Sequence, residues 1–285
     1  MRHARIVLGL LVFVACTAAA CKRSGGEHAG SAGSGSASLR IVSLMPSGTE
    51  VVAALGATSA LVGVDEYSKY PEAVQALPKV GDFLRPNLEA IVNLQPTLVI
   101  VDDIHGQTSG ALHDQGLETI GCAMHALPDV KRALKEVGAR IGKSKEADAL
   151  IAEIDREIDA AAAARPARHP KVLAVIDREN GGLGNLVVAG RGSYLDELLA
   201  IVGGDNVLAA SGVRYPKISI EEVLRAQPEV ILDFSFGGDN KPSDWDAIDV
   251  PAVKTKKVFA MSQPYLTGPS PRVKQALTEL ATAIR

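Results

Sequence analysis

The sequence predicts an α/β protein of two Rossmann-like lobes joined by one long α-helix, with a ligand cleft between the lobes. Three observations carry that expectation. A helix–proline–strand unit occurs twice, Asn87-Leu88-Glu89-Ala90-Ile91-Val92-Asn93-Leu94-Gln95-Pro96-Thr97-Leu98-Val99-Ile100 aligning without gaps on Ser219-Ile220-Glu221-Glu222-Val223-Leu224-Arg225-Ala226-Gln227-Pro228-Glu229-Val230-Ile231-Leu232. Short apolar strands alternate with helices along the chain, the pattern of a mainly parallel sheet covered on both faces. Between the two copies of the unit runs the longest stretch free of helix breakers, with a continuous apolar stripe.

The N-terminal segment reads as a targeting leader over residues 1–21. Arg2, His3 and Arg5 form a basic start, and Ile6 to Val14 an apolar run too short to span a bilayer. Ala18-Ala19-Ala20-Cys21 resembles a bacterial lipobox, after which Cys21 is lipidated and tethers the protein to a membrane face. Ala18 departs from the commoner leucine, so ordinary cleavage and a plain secreted form remain open. Residues 22–38, rich in Gly, Ser and Ala with almost nothing to bury, read as a flexible tether.

An N-terminal α/β lobe is expected over 39–143. Arg40 to Leu44 reads as a strand and Pro46-Ser47-Gly48-Thr49-Glu50 as a helix start, the helix Val51 to Leu55 closing at Gly56. Further strands are expected at Leu61 to Val64, Thr97 to Val101 and Glu118 to Gly121, with helices near Pro71 to Ala76, Asn87 to Leu94 and Thr108 to Gln115. An interlobe spine helix follows over 144–165: Ala147, Leu150, Ile151, Ile154, Ile158 and Ala161 share one face, while Glu153, Arg156, Glu157 and Asp159 face away. The C-terminal lobe, 166–285, opens with the strand Lys171 to Ile176. Strands are expected near Leu186 to Ala189, Val230 to Asp233 and Lys257 to Ala260. Helices are expected at Ser193 to Val202, Ser219 to Ala226 and from Ser270 to the end, with Ser270 as N-cap and Pro271 first in the helix.

In each copy of the repeated unit an Asn or Ser caps a short helix, a glutamate stands second in it, and Gln-Pro ends it. The twin glutamates are Glu89 and Glu221. As helix-dipole partners they are worth ~0.3–1 kcal/mol each. Their recurrence in one repeat also suits docking of a symmetric basic partner.

Composition excludes several function classes. A formal net charge of −3 gives no electrostatic argument for nucleic acid or an anionic membrane surface. Beyond the leader, Cys122 is the only cysteine besides Cys21, which rules out a disulfide framework and reads as a buried, inert thiol. No nucleophile elbow, Walker motif, His-Glu-x-x-His or Cys-x-x-Cys is present, and Gly190-Arg191-Gly192 reads as a helix-start turn. His105, His113 and His125 with Cys122 match no metal-ligand spacing, so no metal site and no resident cofactor are expected. An exported hydrolase would need a nucleophile–base pair that the sequence does not offer.

Recognition chemistry remains. Aromatics make up only 4% of the chain, yet Tyr67, Tyr70, Phe83, Tyr215 and Tyr265 sit in loops leaving strand ends, where α/β sheets hold ligands. Flat aromatic walls suit a large, planar, partly apolar ligand; about half of the five are expected to touch it, Tyr70 least.

With these residues in hand, the chain from Leu39 to Arg285 resembles the substrate-binding proteins of ABC importers for cobalamin, haem and ferric siderophores. The markers are Pro46-Ser47-Gly48-Thr49-Glu50, Leu61-Val62-Gly63-Val64, Tyr67-Ser68-Lys69-Tyr70-Pro71, Asn87-Leu88-Glu89, Ser219-Ile220-Glu221 and Ser270-Pro271-Arg272. It is most similar to the cobalamin-binding branch, where aromatics matching Tyr67, Phe83, Tyr215 and Tyr265 flank the corrin ring. The resemblance implies a periplasmic lipoprotein, not an enzyme, that hands a corrinoid to a permease dimer. It also implies that Glu89 and Glu221 pair with permease arginines. Haem or ferric-siderophore capture is the alternative, with Arg85, Arg191 and the candidate axial ligand His105 as its residues.

Overall fold

Strand–helix alternation gives the N-terminal lobe its form. The structure is a computed structural model that describes residues 38–235 and 239–285. The leader, and all of the tether but Ser38, lie outside the described residues. The lobe runs β1 (Ile41–Ser43), α1 (Pro46–Ala54), β2 (Leu61–Val64), α2 (Leu88–Asn93), β3 (Leu98–Val101), α3 (Gly106–Asp114), β4 (Thr119–Gly121) and α4 (Leu127–Arg140). Its four strands are all parallel in the order β2-β1-β3-β4. β1 and β3 are buried along their whole length, as strands covered on both faces must be.

Gly48 decides how α1 lies on this sheet. A Cβ there would stand 2.8 Å from Ile100 Cγ2 on β3, so only glycine lets the helix settle this close. The spine, α5 (Ser144–Ala163), is a single 20-residue helix. At ~1.5 Å per residue it spans on the order of 30 Å.

The C-terminal lobe contains β5 (Lys171–Asp177), β6 (Leu186–Val188), α6 (Tyr194–Val202), β7 (Asp205–Asn206), β8 (Lys217–Ile218), α7 (Ile220–Ala226), β9 (Val230–Asp233), α8 (Pro251–Lys254), β10 (Val258–Ala260), α9 (Pro264–Thr267) and α10 (Val273–Ile284). Its sheet is ordered β10-β9-β5-β6-β8, with β7 also paired to β5. The sheet is mixed: β10, β9, β5 and β7 are parallel, while β6 runs antiparallel to β5 and to β8. The connection 178–185 is too short for the crossover that a parallel neighbour needs.

The repeated unit folds alike in both lobes. Asn87 Oδ1 accepts the Ala90 N–H and Ser219 Oγ the Glu222 N–H, each capping its helix. Both helices then leave through a glutamine in the left-handed region, Gln95 at φ 47° and Gln227 at φ 49°, before the proline and the strand.

Two expectations are corrected. Helix α4 was not expected; it is strongly amphipathic, burying Val130, Ala133, Leu134 and Val137 against α1 and the spine. Helix α10 begins at Val273 rather than at the Ser270-Pro271 start; the Ser270 hydroxyl donates to Glu50 of the other lobe while its oxygen accepts the Arg272 N–H at 3.1 Å. The largest core cluster takes residues from both lobes, Ile41, Val51 and Leu134 on one side and Val172, Leu198 and Leu277 on the other.

Candidate functional site

Where the strands of both sheets end, the chain leaves a cleft of about 750 Å³. Its N-terminal wall is built from Met45–Ser47 after β1, Tyr67 after β2, Asp82–Arg85 before α2, Asp102 after β3, and Met124–His125 after β4. Across it stand Ile176 of β5, Tyr215, Pro264, and Thr267–Pro269. This is where open α/β sheets hold ligands.

Three of the expected aromatics, Tyr67, Phe83 and Tyr215, line this cleft, and Tyr67 and Tyr215 are exposed. Desolvation raises the pKa of the Tyr215 phenol, so it stays a neutral hydrogen-bonding group. Tyr265 lies outside the lining although Pro264 beside it lines the wall. Its hydroxyl donates to Glu279 Oε2 at 2.7 Å and its ring lies under the Arg272 guanidinium, 4.5 Å from centroid to Cζ. Tyr70 also lies outside, its ring under the same guanidinium with Cζ 4.1 Å from its centroid.

The alternative's candidates fare differently. Arg85 lines the cleft but is ion-paired with Asp82 at 3.0 Å, its side chain 87% exposed. Arg191 is exposed in the turn before α6 and does not line the cleft. His105 is 4% exposed, and both ring nitrogens are engaged. Nδ1 accepts the Asp102 backbone N–H at 3.0 Å, which leaves the proton on Nε2 to donate to the Phe83 carbonyl at 2.5 Å. With no lone pair free, His105 offers nothing to a metal; it supports Phe83, whose ring it meets edge-on at 5.2 Å.

His125 is the imidazole that faces the cleft. Its Nε2 lies 3.0 Å from both carboxylate oxygens of Asp103, and Asp102 completes a group whose ligand atoms all lie within 4.8 Å of one another. Such a trio has the spacing to hold a metal ion. Burial, then the neighbouring Asp103, pushes the Asp102 carboxyl up to about 6. Asp103 is held down to about 2 by its hydrogen bonds with Asp102 and His125. Near neutrality the cleft therefore carries carboxylates at Asp82 and Asp102, with the cation of Arg85 already paired. Cys122 is buried, its thiol pushed up to about 12.

The twin glutamates occupy equivalent places, second in α2 and in α7, both exposed and neither lining the cleft. The Ser219 side chain and the helix backbone lower the Glu221 carboxyl.

The family model described as "Periplasmic binding protein" matches residues 41–265. The chain belongs to the periplasmic binding protein family. Among its relatives, a vitamin B12-binding protein of Vibrio campbellii is 27% identical over 248 residues, covering 85% of this chain and 87% of that protein. An uncharacterized ABC transporter substrate-binding lipoprotein of Bacillus subtilis, YvrC, is 26% identical over 255 residues, covering 86% of this chain and 79% of its own. The solved structure of the periplasmic heme-binding protein RhuT from a Roseiflexus species is 33% identical, with a TM-score of 0.76 over 87% of this chain and 98% of that one.

Several lining residues of this periplasmic binding protein escaped sequence reasoning: Met45, Asp82, Asp102, Met124 and His125 among them. A signal existed, since four of them follow within a few residues of a strand end and the fifth, Asp82, stands next to Phe83. Polar and sulfur-containing residues there carry no periodicity, whereas the aromatics stood out by rarity.

Proposed function

We propose that this protein captures a corrinoid between its lobes and delivers it to an ABC importer. The carrying observation is the charge of the aromatic-walled cleft. Asp82 and Asp102 line it, and Arg85, the one lining side chain among the described residues with a permanent positive charge, is paired with Asp82. A corrin ring is edged with carboxamides, whose N–H groups suit carboxylate acceptors. Haem brings propionates and ferric siderophores are commonly anionic, and both call for unpaired cations. In this reading Tyr67, Phe83 and Tyr215 supply flat contact surface. Glu89 and Glu221 dock the permease dimer, and Cys21 anchors the exported protein to the membrane. No covalent step is needed.

The test is isothermal titration of the segment Ala37–Arg285, which forms one compact unit by itself, with cobalamin and in parallel with haem. Tight one-to-one binding of cobalamin supports the reading; binding of haem alone overturns it. A second reading, haem capture, draws on His125, an imidazole in the cleft lining, and on the 33% identity to RhuT. It predicts a haem absorption spectrum that changes in His125→Ala.

A further inference from the structure

The segments that form the two walls of the cleft are tied to each other outside it. Glu50 lies one turn along α1 from Pro46 and Ser47, which line the N-terminal wall. Ser270 and Arg272 follow directly on Thr267–Pro269, which line the other. Arg272 forks onto Glu50: Nε donates to Oε2 at 2.9 Å and a second N–H donates to Oε1. The Ser270 hydroxyl donates to Oε2 as well. The guanidinium lies over two rings, Tyr70 from the N-terminal lobe and Tyr265 from the C-terminal lobe, and Glu279 fixes the Tyr265 hydroxyl. The Glu50 and Arg272 side chains are only 9% and 15% exposed, and none of these residues lines the cleft.

We propose that this clasp sets the aperture of the cleft, making Glu50, Ser270 and Arg272 positioning residues for ligand capture; the inference rests on the cleft being the ligand site. A two-pronged guanidinium–carboxylate bond fixes angle as well as distance. Contact of the planar cation with a ring from each lobe adds a second tie across the same junction. Parting the lobes here would leave a buried carboxylate with no cation, so the junction favours one arrangement. Added to the spine and to the core that the lobes share, the clasp fixes the angle between the two walls and holds them at a ligand-ready spacing.

The experiment is a spin-label distance measurement on Ala37–Arg285. Labels go on exposed positions of the two lobes through Asp114→Cys and Arg225→Cys, because Cys122, the only native cysteine of that segment, is buried with its thiol pushed up to about 12. In the double variant Glu50→Gln with Arg272→Gln, the ligand-free distribution broadens and the cobalamin Kd rises about tenfold, as when a tenth of the molecules hold the competent aperture. Bound cobalamin restores the narrow distribution. Arg272→Lys keeps the charge but loses the fork, and gives an intermediate broadening. Folded variants with the wild-type distribution and affinity overturn the proposal. If the double variant fails to fold, Arg272→Lys decides by the same width. If the unsubstituted protein does not bind cobalamin, the ligand reading fails while the distribution widths still judge the clasp.

Discussion

Replacing Asp102 by Asn should make the protein's stability profile flatter with pH, and the size of the effect follows from the cleft. Burial and the adjacent Asp103 push the Asp102 carboxyl up to about 6 in the folded protein. In the unfolded chain it titrates near 3.9. A carboxyl raised on folding adds stability below its unfolded pKa, and that stability is lost as pH rises through the folded value. Between pH 4.5 and 7 the loss is about 1.4 kcal/mol for each of the ~1.5 units up to pH 6, or about 2 kcal/mol. At roughly 2–4 °C per kcal/mol for a domain of this size, that is about 4–8 °C in Tm. Asn cannot ionise and does not suffer the loss. Thermal melts of both proteins at pH 4.5 and pH 7 read it directly: the Tm advantage of Asp102→Asn should grow by that amount toward neutrality. An advantage that is the same at both pH values would refute the placement of a strained carboxyl in the cleft wall.

Other outcomes follow from the same geometry. Arg178 is fully buried and pairs with Asp233 at 2.9 Å, while Trp245 Nε1 donates to the same carboxylate. Arg178→Met strands that charge and should cost about 3–5 kcal/mol in urea denaturation; a loss below about 1 kcal/mol would mean that the network is dispensable. Phe83→Ala removes a cleft wall and should weaken ligand binding at least about tenfold by titration calorimetry; unchanged affinity would take the ring out of the ligand site. Charge reversal at Glu89 and Glu221 should abolish ligand uptake by cells and leave affinity intact; lost affinity would move both residues into the binding site.

Much of this fold was legible because its signals are local. The repeated unit declares its caps and its Gln-Pro ends within fourteen residues of sequence, and the spine declares itself by its stripe. Tyr67, Phe83 and Tyr215 were legible as cleft residues because loops at strand ends lead there. Tyr265 shares that address, but Glu279 and Arg272 hold it away. His105 looked like a free imidazole in sequence; only the fold shows it spent on Phe83 and Asp102. The partner of Ser270 was hidden for the same reason, since Glu50 stands 220 positions earlier. β6 reversed direction because strand direction is set by the length of a connection, not by the strand's own residues.

The core shared by both lobes has a consequence for how the molecule comes apart. Ile41 and Val51 belong to the same apolar cluster as Val172, Leu198 and Leu277, and the smaller clusters private to each lobe pack on the far faces of the sheets, so unfolding one lobe strips the largest part of the other's core. Calorimetry should show one cooperative transition, with van't Hoff and calorimetric enthalpies in agreement, rather than two overlapping ones. Either lobe expressed alone would expose half of a shared interior and collapse or aggregate. A ligand gripped by the two walls would then steady the whole molecule at once, and proteases would meet a single global barrier rather than a weaker half.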